Sequence, residues 1–168
     1  SVFPIDPAIN YGKLDNGLTY YIRENSTPKN KVSMKLLIKT GSVMEEEHQR
    51  GLAHLLEHMA YNGSKNFPKK KIDEYLSSIG LNLGSHYNAY TSFLETSYDF
   101  EIPTDNMENV ETAIQILADI AQNLNLTPEA FERERKIVEE EYRKDIGESD
   151  FYKEQDKFIY KNSRLLYR

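Results

Sequence analysis

The sequence predicts an α+β domain in which helices pack on one face of an antiparallel sheet. Three observations support this prediction. Segments rich in β-branched and aromatic residues are bounded by glycine, proline, asparagine or aspartate, which is typical of strands. Other segments repeat apolar residues at intervals of three and four, which indicates amphipathic helices. With 168 residues, 39% of them hydrophobic, the whole chain 1–168 is long enough for a single domain with a sizeable core.

Four predicted strands account for the sheet. Residues 18–23 follow an Asp-Asn-Gly turn, and residues 32–40 follow a short loop that contains proline. We expect these two strands to pair with each other in antiparallel fashion. Residues 85–91 and 92–102 are rich in tyrosine, threonine and phenylalanine, and they predict two further strands or one long bent strand that Pro103 ends.

Capping signals mark several predicted helices. One begins at Pro68 and ends at Gly80, with apolar residues at helical spacing between them. A second opens at residues 105–108, which have the capping-box form Asp-x-x-Glu, and a third opens at the Thr-Pro-Glu sequence 127–129. The aromatic and basic stretch 150–168 predicts a further helix that leads into an irregular end.

Two histidines and a glutamate lie within the otherwise apolar run Gly-Leu-Ala-His-Leu-Leu-Glu-His-Met-Ala-Tyr, residues 51–61. On a helix, His54, Glu57 and His58 fall within an arc of about 100° and can converge on one point. Two neutral imidazoles four residues apart bind zinc well, and the carboxylate before the second one can reach a water molecule at the metal without binding the metal. The order His-x-x-Glu-His is the inverted form of the commoner zinc-protease signature.

A second acidic pair lies on the late helix. Glu134 and Glu141 are seven residues apart, nearly two turns, so they point within about 20° of each other beside the inward-facing Ile137 and Val138. Carboxylates on the buried face of a helix need partners, and a zinc ion held by two histidines lacks a third protein ligand. We therefore expect Glu141 to be that ligand and Glu134 to support the site without binding the metal.

The alternative interpretation of residues 51–61 is a core helix with incidental polar residues. Burying three ionisable groups on one face without a metal would cost several kcal/mol, which argues against it. The charged run 45–48 before this helix is expected to be a solvated loop, although His48 is a possible additional ligand. The helical pair already supplies the spacing that a metal needs.

Composition limits the chemistry and the partners. The chain has no cysteine, so any metal must be held by histidine and carboxylate. Its net charge of -6 argues against a nucleic-acid partner, whose phosphates need a basic surface. No stretch of the sequence is long and apolar enough to predict a membrane span.

Three separated motifs resemble the pitrilysin and insulin-degrading enzyme family of inverted-motif zinc peptidases. They are the run 51–59, the sequence Asn-Ala-Tyr-Thr-Ser at 88–92, and the acidic helix from Glu134 to Glu141. The Asp-Asn-Gly-Leu sequence at 15–18 also matches the opening strand signal of the family, so the similarity covers nearly the whole chain in order. The resemblance implies a metallopeptidase half-domain of the pitrilysin type.

The resemblance also implies residue roles. His54, His58 and Glu141 would hold Zn²⁺, Glu57 would be the general base, and Glu134 would be the acidic support. The interval between His58 and Glu141 is somewhat longer than is usual in the family, which makes Glu134 the alternative third ligand. The segment 85–91 resembles the edge strand on which family members pair the substrate backbone, which implies that Asn88, Ala89 and Tyr90 bind the peptide.

The implied function is that of a zinc metalloendopeptidase acting on unfolded peptides. Because the family builds an enclosed chamber from pairs of larger domains, we expect this chain to be a catalytic domain cut short at its C-terminal end. Its expected partners are a peptide substrate and further domains of the same full-length chain, without which the fragment should bind zinc weakly and cleave little. Similarity to exported bacterial members favours a periplasmic location.

Two other functions are compatible with parts of the pattern. A structural or substrate-capturing relative without catalysis would share the fold, since fold does not determine function, but such relatives are expected to have lost ligands. A metal-dependent lyase with the same inverted motif would be expected to need a cysteine ligand, and the sequence has none.

Overall fold

The computed structural model describes residues 4–68, 71–146, 157–161 and 163–167. Two compact units, 1–31 and 32–168, make up the chain. The strands are β1 (Ile9–Lys13), β2 (Thr19–Arg23), β3 (Lys31–Ile38), β4 (Tyr87–Thr91) and β5 (Thr96–Pro103), and the α-helices are α1 (Leu52–Met59), α2 (Lys71–Ser78), α3 (Met107–Gln122) and α4 (Pro128–Ile146). Within these described ranges, no helix is long and apolar enough to cross a membrane.

The first unit contains the antiparallel ribbon of β1 and β2, in register from Ile9 opposite Arg23 to Lys13 opposite Thr19. Gly12 lies under the ring of Tyr20, where a Cβ at residue 12 would come within 2.6 Å of the phenol oxygen, so the aromatic ring covers the glycine. The predicted strand at 18–23 therefore exists, but its pairing with the next strand was wrong. An additional strand, β1, is its partner, and its sequence Ile-Asn-Tyr-Gly-Lys carries too little β-branched character to predict it.

The second unit contains a three-stranded sheet in the order β3-β5-β4. β4 and β5 pair as an antiparallel hairpin, so this part of the chain forms two strands and not the single bent strand that was the alternative prediction. Along β3 the burial alternates, because successive side chains point to opposite faces of the sheet. One face is packed into the core through Val32, Met34, Leu36 and Ile38, whereas Ser33, Lys35 and Leu37 on the other face are exposed.

Helices α2 and α3 cover the packed face of this sheet. Ile72 and Leu76 of α2 and Ile116 of α3 are fully buried against Phe100 and Ile102 of β5. The helical spacing of these apolar residues explains why α2 and α3 form amphipathic helices on this surface. The prediction of an α+β fold with helices on one face of an antiparallel sheet is confirmed.

The start of α3 differs by one residue from the predicted start, whereas the start of α4 agrees with it. The cap of α3 is Asn106 and not Asp105, because Asn106 has the extended backbone of a cap residue and its side chain accepts a hydrogen bond from the Glu108 amide at 3.0 Å. Helix α4 begins as predicted, and the Thr127 hydroxyl accepts a hydrogen bond from the Ala130 amide. In the stretch 150–168, for which a helix was predicted, residues 150–156, 162 and 168 lie outside the described residues; residues 157–159 are helical, and Arg164–Tyr167 is a 3₁₀ turn.

Candidate metal centre

The first turn of α1 is held by a glutamate from the charged run that precedes it. Glu45 is buried, and its carboxylate oxygens accept hydrogen bonds from the amides of Gly51 at 3.0 Å and Ala53 at 2.8 Å. A carboxylate at this position satisfies free amide groups and opposes the positive end of the helix dipole. The expectation of a wholly solvated loop at 45–48 was therefore wrong for Glu45, although His48 is exposed.

Packing of α1 against α4 directs the motif histidines. Leu55 and Met59 of α1 are buried beside Ala130 of α4, and Val138 packs against the same cluster. His54 and His58 lie one turn apart along α1, and both imidazoles are near Glu141 in the C-terminal half of α4. The two rings approach edge to face, with centroids 4.7 Å apart.

Three potential ligand atoms converge between the two helices. The Nε2 atoms of His54 and His58 are 3.1 Å apart. Oε2 of Glu141 lies 3.5 Å from Nε2 of His54 and 3.4 Å from Nε2 of His58. The Glu141 side chain is 43% exposed, which differs from the buried position expected from the phase of the helix.

The spacing of these three atoms fits zinc. Nitrogen and oxygen ligands of tetrahedral zinc lie about 2.0–2.1 Å from the metal, so two ligands of one ion are about 3.3 Å from each other. The three observed separations, 3.1, 3.4 and 3.5 Å, match the edges of such a tetrahedron.

Glu134 lies on the other side of the His58 ring from Glu141. Oε2 of Glu134 lies 3.7 Å from Nδ1 of His58, and the side chain is only 9% exposed. The other oxygen accepts a hydrogen bond from Nε of Arg133 at 3.1 Å, and Arg133 also donates to Asn62. A carboxylate beside Nδ1 favours the tautomer with its proton there, which leaves the Nε2 lone pair free for a metal.

Glu57 lies beside the histidines but has a different partner. The group His54, Glu57 and His58 offers one ligand atom each, all within 4.8 Å of one another. Oε2 of Glu57 accepts a hydrogen bond of 2.6 Å from the hydroxyl of Thr91 in β4. Burial raises the pKa of Tyr98 well above its usual value, and the neighbouring Glu57 carboxylate raises it further.

A cleft of about 620 Å³ opens beside Glu57 and His58. Two of the three predicted peptide-binding residues, Asn88 and Ala89, line it, because β4 is the edge strand of the sheet next to α1. Tyr90 does not line this cleft. Its hydroxyl donates to Glu95 at 2.7 Å, and Lys35 lies 5.5 Å from the centre of its ring.

Three contacts of the site were missed by the sequence analysis. Glu45 holds the start of α1, Arg133 holds Glu134, and Thr91 holds Glu57. Thr91 lies in the Asn-Ala-Tyr-Thr-Ser motif, but no local spacing connects it with a glutamate 34 residues earlier. Glu45 could have been noticed as an acidic residue ahead of a helix, although its distance of eight residues from Ala53 lies outside the ordinary capping patterns.

Comparison with known proteins finds relatives that are named zinc proteases. The family model described as Insulinase (Peptidase family M16) matches residues 20–153. The "Probable zinc protease PqqL" of Haemophilus influenzae is 38% identical over 144 residues, which are 86% of this chain and 16% of that protein. The "Zinc protease PQQL-like" protein of Arabidopsis thaliana is 43% identical over 134 residues, which are 80% of this chain and 14% of that protein.

A solved structure supports the same relationship. The crystal structure of the periplasmic protease PqqL from Escherichia coli superposes on 100% of this chain with a TM-score of 0.91 and 34% sequence identity. The chain covers 19% of that structure, and so it spans only about a seventh to a fifth of these relatives. On this evidence the chain belongs to the insulinase family of peptidases, M16.

Proposed function

We propose that this chain carries the zinc site and the general base of a metalloendopeptidase that hydrolyses unfolded peptides. The observation that carries the proposal is the triangle of His54 Nε2, His58 Nε2 and Glu141 Oε2, whose edges of 3.1 to 3.5 Å fit one zinc ion. The names of the relatives, which call them zinc proteases, support the choice of metal and of reaction.

His54, His58 and Glu141 would hold zinc with three protein ligands, which is the number found in catalytic rather than structural zinc sites. A zinc ion held there would supply Lewis acidity, polarising the scissile carbonyl and lowering the pKa of a water molecule. The chain itself holds the imidazoles in the required orientation, through the packing of α1 on α4 and through Glu134 beside His58.

Glu57 is the proposed general base. Its carboxylate takes a proton as water attacks the peptide carbonyl, and it then gives that proton to the nitrogen of the departing amine. Glu57 lies within reach of the ligand atoms but is hydrogen-bonded to Thr91, which keeps it distinct from the metal ligands.

The edge strand β4 is the proposed binding site for the peptide backbone. An extended peptide can add to an exposed strand edge through main-chain hydrogen bonds. Asn88 and Ala89 line the cleft beside Glu57, so a strand added there would run past the base. Tyr90 is the third proposed contact, from the same strand.

The remaining proposals concern the whole protein. Further domains of a longer chain would complete the substrate chamber, because the relatives extend well beyond the matched segment. The 1–168 segment would then be one catalytic domain that has little activity alone. A periplasmic location is supported by the E. coli relative, whose structure is described as periplasmic.

The test is a set of substitutions in the full-length protein, assayed with an unstructured fluorogenic peptide and by zinc analysis. Glu57→Gln should retain one equivalent of zinc and lose at least about 100-fold in kcat, because only the base is removed. His54→Ala and His58→Ala should lose both zinc and activity. The control is Glu140→Gln, an exposed glutamate of α4 that faces away from the histidines and should behave as wild type.

Full activity in metal-loaded Glu57→Gln would overturn the assignment of the base. A well-folded protein without measurable zinc affinity would instead favour a structural or substrate-capturing role.

A further inference from the structure

We propose that Thr91 is a positioning residue that holds Glu57 in place as a base and keeps it away from the metal. This inference rests on the function proposed above. It starts from the hydrogen bond of 2.6 Å between the Thr91 hydroxyl and Oε2 of Glu57, which joins β4 to α1. A hydroxyl bonded to a carboxylate at this distance is a strong, charge-assisted contact.

The Thr91 hydroxyl has two neighbouring oxygens that could accept its proton, and the Glu57 carboxylate is the nearer one. Thr91 also lies 3.4 Å from the hydroxyl of Thr96, but Thr96 donates its own proton to the carbonyl of Thr40 at 2.9 Å. The single proton of Thr91 goes to the nearer acceptor, the Glu57 carboxylate at 2.6 Å, rather than to the Thr96 oxygen at 3.4 Å. The burial of Thr96 and its bond to Thr40 anchor this part of the sheet, and Thr91 itself is half-buried.

This bond determines which oxygen of Glu57 remains available. Oε2 is held by Thr91, so Oε1 is the oxygen that can take a proton from an attacking water. The same bond limits rotation of the carboxylate. Glu57 offers an oxygen within 4.8 Å of the imidazole ligand atoms, which is near enough for a carboxylate released by Thr91 to compete for the open metal position.

The decisive variants are Thr91→Val, which keeps the shape and loses the hydroxyl, and Thr91→Ser, which keeps the hydroxyl. In the zinc-loaded, full-length protein, Thr91→Val should lower kcat by about 10- to 100-fold with KM changed less than about twofold, since a displaced catalytic group costs rate more than binding. Thr91→Ser should restore kcat to within about threefold of wild type.

Thr96→Val is the matched control. It removes a neighbouring threonine hydroxyl and its bond to Thr40, but no contact with Glu57, so it should lower the melting temperature while leaving kcat within about threefold of wild type. The proposal would be overturned if Thr96→Val lowered kcat as much as Thr91→Val does, because the effect would then be a general one on the sheet. It would also be overturned if Thr91→Ser lowered kcat as much as Thr91→Val does.

A readout independent of activity separates this inference from the proposed function. Crystal structures of zinc-loaded wild type and Thr91→Val should show the Glu57 carboxylate near Thr91 in the first and rotated away, or bound to the metal, in the second. If wild type has no peptidase activity, the proposed function fails, and these structures still test the positioning role. An unchanged Glu57 conformation in Thr91→Val would refute it.

Discussion

At the scale of single residues, the two acidic side chains of α4 have different surroundings. Glu134 is almost completely buried and contacts Nδ1 of His58, whereas Glu141 is partly exposed and contacts Nε2 of both histidines. A buried carboxylate is suited to orienting an imidazole, which it does by contacting the ring nitrogen that does not bind the metal. Partial exposure suits a ligand beside a position that must remain open to substrate and water.

These surroundings lead to different expected effects on metal affinity. Glu134→Gln should weaken zinc binding by about 10- to 100-fold, as is typical when the support of a ligand is lost. Glu141→Gln should weaken it more, because a ligand is lost, and Glu140→Gln should not change it. Competition with a chelator in the full-length protein measures all three. A larger effect of Glu134→Gln than of Glu141→Gln would make Glu134 the third ligand.

At the scale of elements, α1 depends on contacts outside itself. With eight residues it is too short to be stable alone, so it needs its cap and its packing on α4. Glu45 supplies the cap from the preceding loop, and Leu55 and Met59 supply the packing. The same contacts determine the direction of the two imidazoles, so stability of the helix and geometry of the site are coupled.

Removal of the Glu45 cap should therefore affect both the stability of α1 and the geometry of the site. Glu45→Ala is expected to lower the free energy of unfolding by about 2 kcal/mol, because two amides at the start of α1 lose their acceptor. Glu47→Ala is the control, since this side chain is exposed and its pairing with Arg50 should contribute less than about 1 kcal/mol. Urea unfolding of the metal-free protein measures the difference. Equal effects of the two substitutions would contradict a specific role of Glu45.

At the scale of the whole second unit, a buried carboxylate joins segments that are far apart in sequence. Asp119 of α3 is fully buried and accepts hydrogen bonds from the Ser64 hydroxyl at 2.6 Å and from the Asn66 amide at 2.9 Å. The side chains of Gln115 in α3 and of Asn123, the residue that caps the end of α3, also donate to it. The contacts hold the segment that follows α1 against α3, and thereby connect the candidate metal helix to the core.

Loss of this carboxylate should be costly and pH-dependent. Asp119→Asn places an amide group among donors and is expected to cost about 3 kcal/mol, whereas the exposed Glu111→Gln on the same helix should cost little. Burial acts to raise the pKa of Asp119, but the hydrogen bonds from Ser64 and Asn66 outweigh it and lower the pKa from 3.8 to about 2. Because the folded value is the lower one, the carboxylate stabilises the fold above pH 4 and this contribution is lost as the pH falls toward 2.

Unfolding measurements at a series of pH values test the direction of this pH dependence. The difference in unfolding free energy between wild type and Asp119→Asn should be largest above pH 4 and shrink between pH 4 and 2. A difference that grows on acidification would contradict the assignment of Asp119 as an ionised acceptor.

Local patterns in the sequence were sufficient for the α-helices, for the strands other than β1, and for the metal-helix motif. The relation among His54, Glu57 and His58 depends only on helix geometry, and the amphipathic spacing of α2 and α3 depends only on which residues are apolar. The position of Glu134 and Glu141 on the same side of α4 also depends only on helix geometry. Such features involve neighbours within two turns, so no knowledge of the packing is required.

Only the tertiary structure decided how these elements meet. The partner of β2, the burial of Glu45, the difference in exposure between Glu134 and Glu141, and the contact of Thr91 with Glu57 could not be deduced from spacing. Thr91 and Glu57 are 34 residues apart, and Ser64 and Asp119 are 55 apart. Such pairs come together because burial of the apolar faces of the helices and the sheet determines their relative position, and that free energy belongs to the whole core rather than to any local segment.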